Sequence, residues 1–303
     1  MLYPEFSDLV SLKDRKFTFR HPSSKSVKSA ISGNHLSSFR GQGIELDTVR
    51  QYVAGDDIRN IDWRVTARTG DPHVKVFKEE RERQIVLCID MNSTMRFGTR
   101  NTFKSVQAAR IAALLGWEGI SEKDRIGACI FGDVPGGVQF FSPKRSGKSF
   151  CSILKVLTLP PLEQHYIPLE ESLKQISRKV HAGSLIYLIS DFMDMNKDFE
   201  QDTSLAFLSK KCDVVFISVN DPADQIIPPL GILGFQSNNA EKIYVDTESF
   251  AARKSYADLW KKRENQLHEI TSRLKILLLE ITTESDVSLD LTFELKKIAK
   301  RKM

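Results

Sequence analysis

Apolar and polar positions fall in blocks along this chain, and the blocks change period as they go. The stretch "IVLCI" (85–89) is an unbroken apolar run bounded by polar residues, the pattern of a strand covered on both faces. "TFKSVQAARIAALLGWEGI" (102–120) puts Val106, Ala109, Ala113 and Leu114 at helical spacing. "DRIGACIFG" (124–132) predicts a second strand, and "SFCSILKVL" (149–157) a short helix. "PLEESLKQISRKV" (168–180) predicts an amphipathic helix with acids in its first turn and bases in its last, as the helix dipole favours. Further strands are predicted at 184–190, 213–219 and 242–246, with a helix at 202–211 between the first two. A long helical pattern covers 249–275, and a last helix 285–301. Strand and helix in turn, with near-continuous apolar strands, predict an α/β fold: a doubly wound, mostly parallel sheet with helices on both faces. Sites in such sheets lie beyond the carboxyl ends of the strands.

Upstream the pattern is looser. Residues 20–38, "RHPSSKSVKSAISGNHLSS", are rich in Ser, Lys and His and poor in apolar residues, which predicts a flexible N-terminal segment over 1–38. From Phe39 the pattern tightens, and residues 39–84 are expected to pack on a main domain of 85–303.

Composition narrows the class. Of 303 residues, 41% are apolar and 27% charged, the balance of a soluble globular chain with a sizeable core. No apolar run approaches the ~20 residues that span a bilayer, since "LIYLIS" and "VVFISV" are strand-length. The start "MLYPEFSDLV" lacks the long apolar segment of a signal peptide, so the expected location is the cytoplasm. Cys88, Cys129, Cys151 and Cys212 show no C-x-x-C spacing, and the six histidines form no cluster with them, which argues against zinc and against a disulfide framework. The net charge of +5 gathers at both ends of the chain, in the first 40 residues and in "ELKKIAKRKM". No recognition motif accompanies it, so the ends read as solvated and no nucleic-acid partner is expected.

Chemistry gathers where the apolar runs stop. "IVLCIDMNSTMRFG" (85–98) ends a strand in Asp90, Asn92 and Thr94, three oxygen-bearing side chains spaced by two, with Met91 and Ser93 pointing away. Ser190 and Asp191 end the strand at 184–190 in the same manner. Two carboxylates brought to one sheet edge repel unless a cation or proton sits between them. Their oxygens are hard ligands, suited to Mg²⁺, Mn²⁺ or Ca²⁺. The same Asn92 and Thr94 would also serve to cap a following helix. "SGKS" within "RSGKSF" lacks the glycine of a P-loop, because position 142 is Ser142. "DMNST" is similar to the D-x-D-x-[T/V] of haloacid-dehalogenase phosphatases, but Asn92 cannot act as the general acid or base needed there.

The segment "FRGQGIELDTVRQYVAGDDIRNIDWRVTARTGDPHVKVFKEE" (39–80) is unusual. Ile58, Ile61, Trp63 and Val65 give an apolar side, while charges alternate in sign around them. This predicts a half-buried ion-pair network with Trp63 and Ile61 covered. The run resembles R-x-Y-x-x-G-D-D-x-R-x-I-D-W-x-x-x-A-R, the signature of a bacterial family labelled domain of unknown function fifty-eight. The matching positions are Arg50, Tyr52, Gly55, Asp56, Asp57, Arg59, Ile61, Asp62, Trp63, Ala67 and Arg68. "VKVFKEE", "CIDMNSTMRFG", "DRIGACIFGD", "LIYLISDFMD" and "VNDPAD" resemble successive blocks of that family in order.

That family resembles von Willebrand factor A proteins, which carry D-x-S-x-S at the first strand end, a Thr or Ser in a middle loop and an Asp after a later strand. The resemblance implies a metal-ion-dependent adhesion site of Asp90, Asn92, Thr94, Ser149 (with Ser146 second) and Asp191, holding Mg²⁺ or else Mn²⁺ or Ca²⁺. Both serines of the pattern are replaced. It also implies a partnership with MoxR-type AAA+ ATPases, beside which such proteins are encoded. The expected function is a non-enzymatic protein-interaction module that binds a client or partner through the metal, with no catalytic residue. The alternative is a Mg²⁺-dependent phosphotransferase with Asp90 as nucleophile.

Overall fold

The computed structural model describes residues 3–15, 44–79, 83–162, 166–195, 203–236 and 242–301. In chain order the elements are α1 (Phe6–Ser11), β1 (Ile44–Gln51), α2 (Trp63–Thr69), β2 (His73–Glu79), β3 (Gln84–Met91), α3 (Lys104–Ser121), β4 (Arg125–Gly132), β5 (Val138–Lys144) and α4 (Gly147–Leu157). They continue with α5 (Leu169–Lys179), β6 (Leu185–Ser190), α6 (Thr203–Lys211), β7 (Asp213–Asn220), α7 (Pro222–Gln225), β8 (Ile232–Gln236), β9 (Lys242–Asp246), α8 (Phe250–Arg273), β10 (Leu277–Thr282) and α9 (Val287–Arg301). The chain divides into two compact units, one formed by 28–82 and the other by the rest.

The larger unit is built on a six-stranded sheet in the order β10-β7-β6-β3-β4-β5, parallel except for the edge strand β5. Successive residues of a strand point to opposite faces, and the core divides accordingly. Ile85, Leu87 and Ile89 of β3 join Leu185, Tyr187 and Ile189 of β6 in one cluster, packed against α1, α3, α4 and α9. Val86, Cys88, Ile186 and Leu188 join the other, packed against α5, α6 and α8. This is the α/β, doubly wound, mostly parallel architecture expected. The unbroken apolar runs are the consequence of covering both faces. Helix α3 is buried over most of its circumference, which is why its sequence is rich in alanine and carries glycines inside.

The first residues depart from the flexible segment expected over 1–38. Leu9 of α1 is fully buried, its carbonyl accepts from the Trp117 indole at 3.0 Å, and Asp8 pairs with Arg110 at 2.8 Å. The remainder of that expected segment, 16–38, lies outside the described residues. "KIYVD" forms a strand, but in a separate antiparallel ribbon with β8 rather than in the main sheet. Strands β1, β2, β5, β8 and β10 were not predicted. All but β10 lie outside the parallel core, where no continuous apolar run marks a strand.

The smaller unit pairs β1 with β2 antiparallel around the charged segment. Arg50 grips Asp56 with two bonds of 2.7 Å, a fork-on-carboxylate geometry. The Arg50 guanidinium holds the Asp56 carboxyl below its ordinary range. Gly55 sits between them at φ +108, a backbone that a side chain would strain. Asp57 accepts from the Arg59 backbone N–H at 3.0 Å. Asp62 caps α2 through the N–H groups of Arg64 and Val65. The signature's acids therefore close turns and cap a helix. Of the segment's apolar side chains, Ile61 and Val65 are half-buried, while Trp63 is 68% exposed and Ile58 64%.

Candidate functional site

Three neighbouring parallel strands, β3, β6 and β7, end at one edge of the sheet, and each ends in polar residues. Asp90 is the penultimate residue of β3, Ser190 closes β6 with Asp191 next, and Asn220 closes β7 with Asp221 next. Register puts Ile89 level with Ile189, so Asp90 and Ser190 stand side by side. The Ser190 hydroxyl donates to Asp90 Oδ2 at 2.6 Å, and the Asn92 N–H donates to Asp90 Oδ1 at 2.9 Å. Asp90, Asn92 and Asp191 are all buried.

Asn92 points across to the loop that precedes α5. Its Nδ2 donates to the Ile167 carbonyl at 2.9 Å, and its Oδ1 accepts from the Ile167 N–H at 3.0 Å. Both ends of the amide are thus used to clasp that loop to the end of β3. Gly132 lies against this turn, where a Cβ would come within 2.5 Å of the Asn92 nitrogen. Thr94 sits half-exposed in the 3₁₀ turn Ser93–Met95 that follows.

Asp191 is held by a lysine. Lys104, the first residue of α3, is 1% exposed, and its Nζ lies 2.7 Å from Asp191 Oδ2 and 3.3 Å from Asp224 Oδ2. The other Asp191 oxygen accepts from the Met193 N–H at 3.1 Å. Asp224 belongs to a capping box with Asp221 on α7. Asp221 in turn accepts from the backbone and hydroxyl of Thr99 and from the hydroxyl of Thr283. The β3–α3 loop is therefore tied to the ends of β7 and β10. The Phe97 ring covers the Lys104 ammonium, with its centroid 5.6 Å away, and Arg96 pairs with Asp133 at 2.6 Å.

Titration follows from this arrangement. Burial pushes the Asp90 carboxyl up, the Asp191 charge adds to the push, and the Ser190 and Asn92 hydrogen bonds return only part of it, leaving the value at about 7. Burial also raises Asp194 and Asp224, against the pull of Tyr166 on the first and Lys104 on the second. Burial alone would lower Lys104, but Asp191 and Asp224 outweigh it and the ammonium is held charged. Asp221 is lowered despite its burial, by the hydroxyls of Thr283 and Thr99 and by backbone N–H groups. One lysine thus serves two acids, and Asp90 relieves its own charge by holding a proton more readily.

The five residues assigned to a metal by resemblance do not assemble. Asp90, Asn92, Thr94 and Asp191 lie at the carboxyl edge. Ser149 and Ser146 lie at the opposite edge, because β5 runs antiparallel to β4 and carries the chain back: Val138 pairs with Phe131, and Lys144 with Ile126. α4 starts from that end, with Ser146 as its N-cap. Of the remaining four, Asp90, Asn92 and Asp191 are already engaged within the chain. The Asn92 side-chain oxygen accepts a backbone N–H, both Asp90 oxygens accept hydrogen bonds, and an ammonium holds one Asp191 oxygen. Sequence reasoning missed Lys104, Asp224, Asp194 and Tyr166. Lys104 left one signal: a lysine in a helix's first turn opposes the helix dipole and has to be accounted for by acids from elsewhere.

Comparisons with known proteins agree with the sequence blocks. Residues 48–266 match the family model described as Protein of unknown function DUF58. Uncharacterized proteins of Mycobacterium bovis and Mycobacterium tuberculosis are each 28% identical over 208 residues, covering 68% of this chain and 64% of their own length. The chain therefore spans less than two thirds of those relatives. Among solved structures, a conserved hypothetical protein, BatB from Bacteroides thetaiotaomicron, aligns with 13% identity over 72% of this chain and 99% of its own, at a TM-score of 0.45. The SpRpn10 VWA domain aligns with 11% identity over 70% of this chain and 94% of its own, at 0.42. No helix among the described residues is long and apolar enough to cross a membrane.

Proposed function

The chain belongs to the DUF58 family, and from that premise we propose that it is a non-enzymatic protein-interaction module that presents the carboxyl edge of its sheet to a partner. One observation carries this reading. Around the buried acids, the loops of this edge expose Phe97 (37%), Tyr166 (37%) and Ile226 (71%). Each is set on a pinned backbone. Phe97 lies in the loop tied down by Asp221, Tyr166 precedes the residue clasped by Asn92, and Ile226 bonds back to Pro222. Exposed apolar side chains on a rigid edge are the composition of an interface core, where aromatic residues dominate the binding energy.

The partner proposed is a MoxR-type AAA+ ATPase, with the chain acting as its cofactor and adaptor toward a protein client. Support for that choice is the resemblance of the 50–68 signature and of the ordered blocks. A phosphotransferase reading gains nothing from the site, since the Asn92 amide can neither donate nor take a proton for the leaving group and is clasped to Ile167. The test is a calorimetric titration of the full chain against the MoxR-type ATPase of the same genome. Ile226→Asp should weaken binding at least ~tenfold, the loss typical of a hot-spot residue, with the melting temperature held. Undiminished binding would move the interface to another surface.

A further inference from the structure

We infer that Lys104 is the resident cation of this edge, so that Asp191 and Asp224 are paired within the chain and the site works without a divalent metal. The inference concerns the site of the proposed interaction, but its test uses no partner and stands or falls separately. The geometry is specific. Lys104 is buried to within 1% of its surface, and its ammonium bridges Asp191 on the β6 end and Asp224 beyond the β7 end, at 2.7 and 3.3 Å. It arrives from the first residue of α3, the helix that follows the Asp90 turn. A positive charge is thus delivered into the gap between strand ends by the element that the turn itself leads into. Two further features count against an outside ion. The Phe97 ring lies over the ammonium, and the side-chain Oδ1 of Asn92, which the D-x-S-x-S resemblance would give to a metal, accepts from the Ile167 N–H instead. A buried charge is tolerated when paired and hydrogen-bonded, and here the pairing is intramolecular.

This changes what the edge recognises. A metal-centred site has an open coordination position that a partner's carboxylate fills. A lysine clasped by two aspartates has none, so recognition falls to the exposed Phe97, Tyr166 and Ile226 and does not respond to chelation.

The experiment is thermal unfolding of the full chain with Mg²⁺, Mn²⁺ or EDTA, for wild type, Lys104→Gln, Lys104→Arg and Asp191→Asn. Wild type should melt at the same temperature in all three conditions. Asp191→Asn should melt lower by the same amount in each, because it strips the ammonium of its nearer partner. Lys104→Gln removes the ammonium that pairs Asp191 and Asp224. It should melt well below wild type and regain part of the loss in Mn²⁺ or Mg²⁺ but not in EDTA. If Lys104→Gln does not fold, a folded, metal-blind Lys104→Arg supports the same conclusion, since only the charge is kept. The inference is overturned if wild type is stabilised by Mg²⁺ and the effect vanishes in Asp191→Asn. It is equally overturned if Lys104→Gln melts with wild type and ignores metal.

Discussion

Asp90 shows how one side chain records its surroundings. Its carboxyl is raised to about 7, first by burial and then by the Asp191 charge, against an ordinary value near ~3.9 in an unfolded chain. The folded state therefore holds this proton more tightly than the unfolded state does, and stability falls as pH rises from about 4 through about 7. Above that range the cost of the buried charge is fully present. Asp90→Asn keeps the acceptor for the Asn92 N–H and removes the titration. Urea midpoints between pH 5 and pH 8 should fall more for wild type than for Asp90→Asn, with the curves converging at the acid end. Parallel curves at every pH would mean that Asp90 does not titrate in this range.

At the scale of elements, a glycine of α3 decides how closely α4 packs on it. Gly116 faces the Phe150 ring of α4 so closely that a Cβ would stand 2.0 Å from the ring's Cζ. Phe150 is itself locked edge-on against Trp117, with ring centroids 4.9 Å apart. Alanine is favoured over glycine in a helix by about 1 kcal/mol, whereas overfilling a packed core costs about 1–3 kcal/mol. The packing term should win, because the ring is buried and already held against Trp117. Gly116→Ala is expected to lower the urea-unfolding free energy by about 1 kcal/mol or more, and a neutral or stabilised variant would show that the layer has room to shift.

For the molecule as a whole, the family signature and the acidic edge fall in different compact units. The signature residues build turns and caps, with Arg50 gripping Asp56 and Asp62 starting α2. Trp63, at the start of α2, is 68% exposed. Trp63→Ala should therefore leave the unfolding free energy within about 0.5 kcal/mol of wild type, as exposed substitutions do. A variant retaining Trp63 as its single tryptophan should emit like a hydrated indole. A loss well above that, with blue-shifted emission, would show that the ring is covered.

The apolar runs alone determined that β3 and β6 are central strands and that Asp90 and Asp191 end them, because a strand covered on both faces must be continuously apolar and its first polar residue marks the edge. They also determined where α3, α5 and α8 run, since helical period is a local property. Two matters were decided only by the tertiary structure. The direction of β5 leaves no trace in a half-buried edge strand, and that direction carries Ser149 to the far edge. The cation of the site is Lys104, which lies 87 residues from Asp191 and 120 from Asp224. No local pattern pairs a lysine with acids so distant. The pairing exists because a parallel sheet brings the ends of β3, β6 and β7 together and the dipole-opposed start of α3 lands between them.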